Sequence, residues 1–399
     1  METRRILIVD DQKQGRRNLE KALNSFNGEW VPEFSQTGEQ ALKSIRQTNF
    51  DIALCETTLT DMDGVDLIRK IRAIRPGTIV LATSANRDRS ILLKSLNAAH
   101  QFIPKPINPN ELARIIENSL GLRQVLNDEA LHTKIASVGI LPAAPDTYIR
   151  LVQMIESDDV SVRRIADLIK SDVGISAKLL HMANSAFFGL PARVENLLHA
   201  VNLLGLDTIK SLVLAAEVFG RFQDPHIPGF TIEGIYIRSM AVGARAKHLA
   251  SALGLTRQHA EDALTAGLLH EIGLLIMLEK LRAELKVASM QAEQESIPLY
   301  EAELRLFGVT HAEIGAHLLS VWGLPYPIVE AVAYHYRPSS VPVPTMNALT
   351  AVHMAFALVT DDRVCNCRKG NVLDNDYRDR LHLSGKMNHI QRLCPAGAA

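Results

Sequence analysis

The strongest constraint in this 399-residue chain is a set of short apolar runs that alternate with helical spacing through its first 120 residues. ILIVD (6–10), DIALCE (51–56) and TIVLATS (78–84) are almost wholly apolar, as strands buried on both faces must be. QFIPKP (101–106) reads as a fifth strand. Between and after them, GRRNLEKALNSF (15–26), VDLIRKIRAI (65–74) and NPNELARIIENSLG (108–121) have helical spacing. In the second of these, Leu67, Ile68, Ile71 and Ile74 share a face and Pro76 follows. Five strand–helix alternations imply a parallel sheet covered by helices. Sites in such sheets lie beyond the carboxyl ends of the strands.

Residues with usable chemistry gather at those ends. Asp10 and Asp11 finish the first strand, Glu56 the third, Thr83 and Ser84 the fourth, and Lys105 the fifth. Converging carboxylates of Asp10, Asp11 and Glu56 would suit a hard divalent cation such as Mg²⁺. A hydroxyl and a lysine beside them would hold phosphoryl oxygens. Singly each signal is weak, since an acidic pair at a strand end is more often a turn.

Residues 1–122 resemble the response-regulator receiver domain over its whole length. The resemblance implies a flavodoxin-like α/β fold with a five-stranded parallel sheet in the order 2-1-3-4-5. Its acidic pair falls on Asp10 and Asp11, its switch hydroxyl on Ser84 or Thr83, and its lysine on Lys105. Counting back from MDG (62–64), its phosphorylated aspartate falls on Glu56, a departure from the family. Glutamate keeps the charge but reaches about one C–C bond farther into a site that tolerates little displacement. Three outcomes stay open: Glu56 imitates the phosphorylated state, the domain is a retired switch kept as a docking or dimerisation surface, or Glu56 is itself phosphorylated.

Residues 123–134 read as a helical linker without Gly, Ser or Pro enrichment. Residues 135–345 then show only helical spacing, consistent with about a dozen short helices. AVNLLGLDTIKSLVLAAEVF (200–219) reads as deeply buried, and DALTAGLLHEIGLLIML (262–278) as an apolar helix containing His270 and Glu271. GISAKLLHMANSAFFG reads as a helix ending near Gly189. Thr310 and Glu313 have capping-box spacing, with a stop at Gly323. His270, Glu271, His311, His317 and His335 could form a metal site on a helical scaffold, or could be ordinary cap and interhelical residues. Asn184 and Ser185 before Phe187 and Phe188 fit either a docking surface or core aromatics with a glycine stop.

Residues 135–345 also resemble the HDOD domain, on LPAAPDTYIRLVQMI, VSVRRIADLIKSDVGISAKLLHMANSAFFG, HAVNLLGLDTIKSLVLAAEVF and AGLLHEIGLL in that order. This implies an all-α output or scaffolding module similar to the HD phosphohydrolases but with an incomplete metal site. Here the HD pair is His270-Glu271, the first histidine position holds Arg238, and the late aspartate falls near Phe356. An arginine would repel a dication and phenylalanine offers no ligand. His311 and His335 do match histidines of the pattern. Residues 346–399 read as a helical extension with a frayed tail.

The formal net charge of −1 gives no reason to expect nucleic acid, and no apolar run reaches the ~20 residues of a membrane span. Without a signal-peptide pattern, a cytoplasmic protein is expected. Cys55, Cys365, Cys367 and Cys394 fit reduced thiols, and Cys365-Asn-Cys367 alone is a weak metal motif. The two resemblances together imply a response regulator of the two-component or phosphorelay type, with protein partners and room for a homodimer. The alternative from another class is a metal-dependent phosphohydrolase acting on a nucleotide or cyclic dinucleotide.

Overall fold

The computed structural model describes residues 4–13, 16, 19–20, 30–84, 98–139, 141–157, 160–188, 193–224, 227–359, 373–387, 390 and 392. Most of the expected helix at 15–26, Gly189 and the cysteines at 365, 367 and 394 lie outside them. The chain forms two compact units, divided near residue 123.

In the first unit, β1 (Arg4–Val9), β2 (Trp30–Ser35), β3 (Ile52–Glu56), β4 (Ile79–Ser84) and β5 (Gln101–Pro104) form one sheet, all parallel, in the order β2-β1-β3-β4-β5. This is the expected topology. Leu7, Val9, Ala53, Cys55, Val80 and Ala82 line one face with Ile45 of α1 (Gly38–Gln47) and Ile71 of α2 (Gly64–Ile74). The alternate residues Ile6, Ile8, Ile52, Leu54, Ile79 and Leu81 are equally buried, as are Leu112, Ile116 and Leu120 of α3 (Pro109–Leu126). Two-sided burial is why these strands read as unbroken apolar runs rather than as alternation. The edge strands β2 and β5 are only partly buried, and β2 carries Pro32. An edge strand tolerates a residue without an N–H.

In the second unit the described elements are α4 (Glu129–Val138), α5 (Asp146–Glu156), α6 (Val162–Lys170), α7 (Val173–Ala183), α8 (Leu197–Leu204), α9 (Leu206–Arg221), α10 (Ile232–Ala252), α11 (Arg257–Leu269), α12 (Ile272–Lys280), α13 (Arg282–Glu295), α14 (Leu299–Phe307), α15 (His311–Val321), α16 (Tyr326–Tyr334), α17 (Ala348–Leu358) and α18 (Asn375–Arg380). Most start at a side-chain cap. Ser161, Asp172, Asn196, Thr231 and Thr256 each accept a backbone N–H of the first turn. Thr310 and Glu313 form the expected capping box.

Three helix boundaries differ from expectation. Residues 200–219 are split at Gly205, whose φ of +80° ends α8 and opens α9. The helix before Phe187 ends at Ala183, and Asn184 caps it by bonding the backbone of Leu180 and Val194. Phe187 and Phe188 are half-buried in a short 3₁₀ turn. Most consequentially, His270 and Glu271 do not lie inside one helix: they form the break between α11 and α12.

Candidate functional site

The carboxyl end of the sheet in the first unit brings Asp10, Glu56 and Lys105 together. Lys105 Nζ lies 2.8 Å from Asp10 Oδ2 and also contacts Glu56 Oε2. Glu56 Oε1 accepts the N–H groups of Thr57 (3.0 Å) and Thr58 (3.4 Å), so both of its carboxylate oxygens are engaged. Asp10 Oδ1 accepts the Gln12 N–H at 2.8 Å. Asp10, Glu56, Thr83 and Ser84 are buried, and Thr83 pairs in register with Glu56. Asp11 is half-exposed. Burial would lower the Lys105 ammonium's pKa, but hydrogen bonds and attraction from Asp10 and Glu56 outweigh it and hold it above the ordinary lysine value.

The loop after Glu56 is drawn tight around it. Gly64 N–H donates to Thr57 O, and a Cβ at Gly64 would fall 2.1 Å from Glu56 O. Only glycine allows that approach, which accounts for the DG in the MDG motif. Asp63 caps α2 by accepting the Val65 and Asp66 N–H groups.

In this arrangement a Mg²⁺ ion at Asp10, Asp11 and Glu56 would compete with Lys105 for two of the three carboxylates. The Lys105 ammonium occupies the space between Asp10 and Glu56. Among the described residues no three His, Cys, Asp or Glu side chains gather as a metal cage.

The second site is built where α10, α11, α12, α15 and α17 meet. Two glycine contacts set the spacing. A Cβ on Gly267 would lie 2.6 Å from Gly243 Cα, so α10 and α11 touch backbone to backbone. A Cβ on Gly273 would lie 1.8 Å from His311 O, so α12 and the start of α15 do the same. These approaches bring Arg238 on α10, His270-Glu271 at the break and His311 at the first position of α15 into one buried cluster.

Arg238 Nε lies 3.7 Å from Glu271 Oε1, and its guanidinium Cζ sits 4.6 Å from the centroid of the Phe356 ring on α17. His311 Nε2 is 3.3 Å from Glu271 Oε2 and 3.0 Å from Tyr336 Oη. Its Nδ1 donates to Glu303, a fully buried carboxylate on α14, at 2.7 Å. Glu303 also accepts the His311 backbone N–H at 3.0 Å. Burial opposes a charge on His311, but Glu303 and then Glu271 overcome it and push its pKa up to about 10. Burial likewise opposes a charge on Glu271; His270, His311 and Arg238 hold it well below the usual carboxylate range.

The other two imidazoles are neutral. Burial pulls His270 down to about 4 and His335 well below its ordinary value. Each donates from Nδ1 to a carbonyl one turn back, His270 to Gly267 (2.7 Å) and His335 to Val332 (2.8 Å). Nε2 of each has no hydrogen-bond partner, although His270 Nε2 stands 3.5 Å from Glu271 Oε1. Phe356 packs edge-on against both rings. His353 supports His335 from behind, donating from Nδ1 to His335 O (2.8 Å) and accepting the Asp374 N–H at Nε2 (3.0 Å).

The cluster therefore alternates Arg238⁺, Glu271⁻, His311⁺ and Glu303⁻. A guanidinium stands beside the carboxylate that a metal would need. His317 is not part of it: half-buried, it faces His132 at 5.9 Å. Glu303 and Tyr336 are the members that sequence spacing does not single out.

Comparison with known proteins agrees with this order of an α/β unit followed by a helical one. The response regulator receiver domain family matches residues 6–117 and the HDOD domain family residues 141–338. An uncharacterised protein of Treponema pallidum is 29% identical over 224 residues, covering 55% of this chain and 42% of its own. The transcriptional regulatory protein ZraR of Salmonella typhimurium is 25% identical over 218 residues, covering 54% of this chain and 46% of its own. The chain thus spans less than half the length of these curated relatives. An HDOD domain protein of unknown function from Geobacter sulfurreducens superposes with a TM-score of 0.54 at 24% identity, covering 67% of this chain and 90% of that one.

The chain belongs to the response regulators that carry a receiver domain followed by an HDOD domain. Among the described residues no helix is long and apolar enough to cross a membrane.

Proposed function

We propose that this protein is an atypical response regulator whose receiver no longer accepts a phosphoryl group and whose HDOD module acts by binding another protein rather than by hydrolysis. The observation that carries the second half is the Arg238–Glu271 contact with Phe356 beneath it. A fixed internal cation neutralises Glu271, so a dication would meet repulsion and too few ligands. Glu56 supports the first half. It engages Lys105, the residue that would otherwise grip a phosphoryl oxygen, and so leaves the receiver in one state.

The second reading, a metal-dependent phosphohydrolase acting on a nucleotide or cyclic dinucleotide, draws on the free Nε2 atoms of His270 and His335. The two are separated by one set of assays. Protein purified without chelators is analysed for metal, then incubated with Mg²⁺ or Mn²⁺ and nucleotide or cyclic-dinucleotide substrates. Stoichiometric metal, or turnover abolished by His270→Ala, refutes the binding-module reading.

The receiver is tested by intact-mass spectrometry after incubation with Mg²⁺ and a small phosphodonor, beside Glu56→Asp. Wild type is expected to stay unmodified while Glu56→Asp gains one phosphoryl group. A phosphoryl group on wild type would overturn the reading.

A further inference from the structure

Helix α13 has two apolar faces. Leu285, Ala288 and Ala292 are buried against the unit. On the opposite side Ala283, Val287 and Met290 are exposed, Val287 at 53% and Met290 at 51%. At roughly 100° per residue these three positions, with Gln294 next, fall within one narrow stripe. Their spacing of four, three and four residues is that of a coiled-coil seam.

The charges beside the stripe say what would cover it. Lys286 and Glu293 are seven residues apart on the same flank, both exposed. Neither has an ion-pair partner in the chain among the described residues. The other flank carries Glu284 and Gln291. If a second α13 lay parallel, Lys286 would face Gln291 and gain nothing. If it lay antiparallel about a two-fold axis between Val287 and Met290, Lys286 of each copy would meet Glu293 of the other. The same patch then satisfies itself twice, as an isologous contact requires.

We infer that the exposed face of α13 is a self-association surface, occupied by α13 of a second copy in antiparallel register. Val287 of one copy packs on Met290 of the other, and two Lys286–Glu293 pairs flank them. The contact is small, so dimerisation depends on protein concentration and weakens with salt. It does not rest on the chemical state of either site described above.

Sedimentation velocity of the full chain over a rising concentration series tests this. Wild type should shift from monomer to dimer. Lys286→Glu alone places glutamates opposite glutamates, and Glu293→Lys alone lysines opposite lysines; each should weaken the dimer at least tenfold. An equimolar mixture of the two single variants should recover it as a heterodimer, and so should the double swap K286E/E293K. Circular-dichroism melting curves matching wild type would show that these surface changes leave the fold intact. Wild type monomeric at every concentration, a dimer indifferent to either single substitution, or no recovery on mixing would each overturn the inference.

Discussion

The Arg238 guanidinium lies over the Phe356 ring, its carbon 4.6 Å from the centroid, while Nε stands 3.7 Å from Glu271 Oε1. Removing the cation leaves a buried carboxylate with one fewer counter-charge. Arg238→Met is expected to destabilise the helical unit by about 3 kcal/mol, the low end for breaking a buried pair, because His311 still faces Glu271. Chemical denaturation followed by circular dichroism measures it. An unchanged midpoint would mean that the pair contributes nothing to the fold.

Stability should fall on the alkaline side through His311. Its folded pKa, about 10, lies above the unfolded value of about 6.5. The stabilisation is therefore fully present below pH ~6.5 and is lost as pH rises toward 10. His270 acts in the opposite sense. With its folded pKa depressed to about 4, the unfolded chain binds the proton first, and stability falls as pH drops from ~6.5 toward 4. Urea midpoints measured across pH should trace a dome, and His311→Gln should flatten its alkaline limb.

Lys105 is the only described cation bridging Asp10 and Glu56. Lys105→Met should destabilise the receiver by about 2–3 kcal/mol, less than a fully buried pair because the lysine keeps some contact with water. Since its pKa is raised, the lysine's contribution is complete below the ordinary lysine value and is lost only at still higher pH. The same substitution should strengthen Mg²⁺ binding, read by titration calorimetry, because it frees two carboxylates from an internal cation.

Gly273→Ala inserts a methyl group where the His311 carbonyl stands 1.8 Å away. Overpacking of this kind costs about 1–3 kcal/mol, and here it must also pry α12 from α15. The expected result is a lower thermal midpoint together with a downward shift of the His311 pKa as it moves from Glu271, visible in imidazole NMR titration. Loss of stability with an unmoved pKa would show that the glycine serves packing alone.

Much of this was legible in the residues. The buried strands β1, β3 and β4 announce themselves because both faces are covered and Ile6 to Val9, Ile52 to Cys55 and Ile79 to Ala82 are apolar without a break. The edge strand β2 does not, since WVPEFS is half-exposed and contains a proline. Helix existence was readable, but breaks at Gly205 and at His270-Glu271 were hidden inside continuous apolar runs, where burial masks the change of direction. The cluster members Arg238, His270, Glu271, His311, His335 and Phe356 come from resemblance plus residue type. Glu303 could not, because a glutamate in YEAELRLF looks like any solvated helix position until α14 is seen to bury it against His311.

The helical site also bears on where the chain may be divided. Phe356, which floors the guanidinium, and His353 and Asp374, which brace His335 from behind, all lie beyond residue 338, where the HDOD match stops. A fragment trimmed to that boundary would keep every histidine of the HD-like pattern yet lose the surface on which its charges rest. Its inactivity or insolubility would then report on the cut, and the natural unit for expression, crystallisation or partner screening runs at least through Tyr377, whose hydroxyl bonds Thr350.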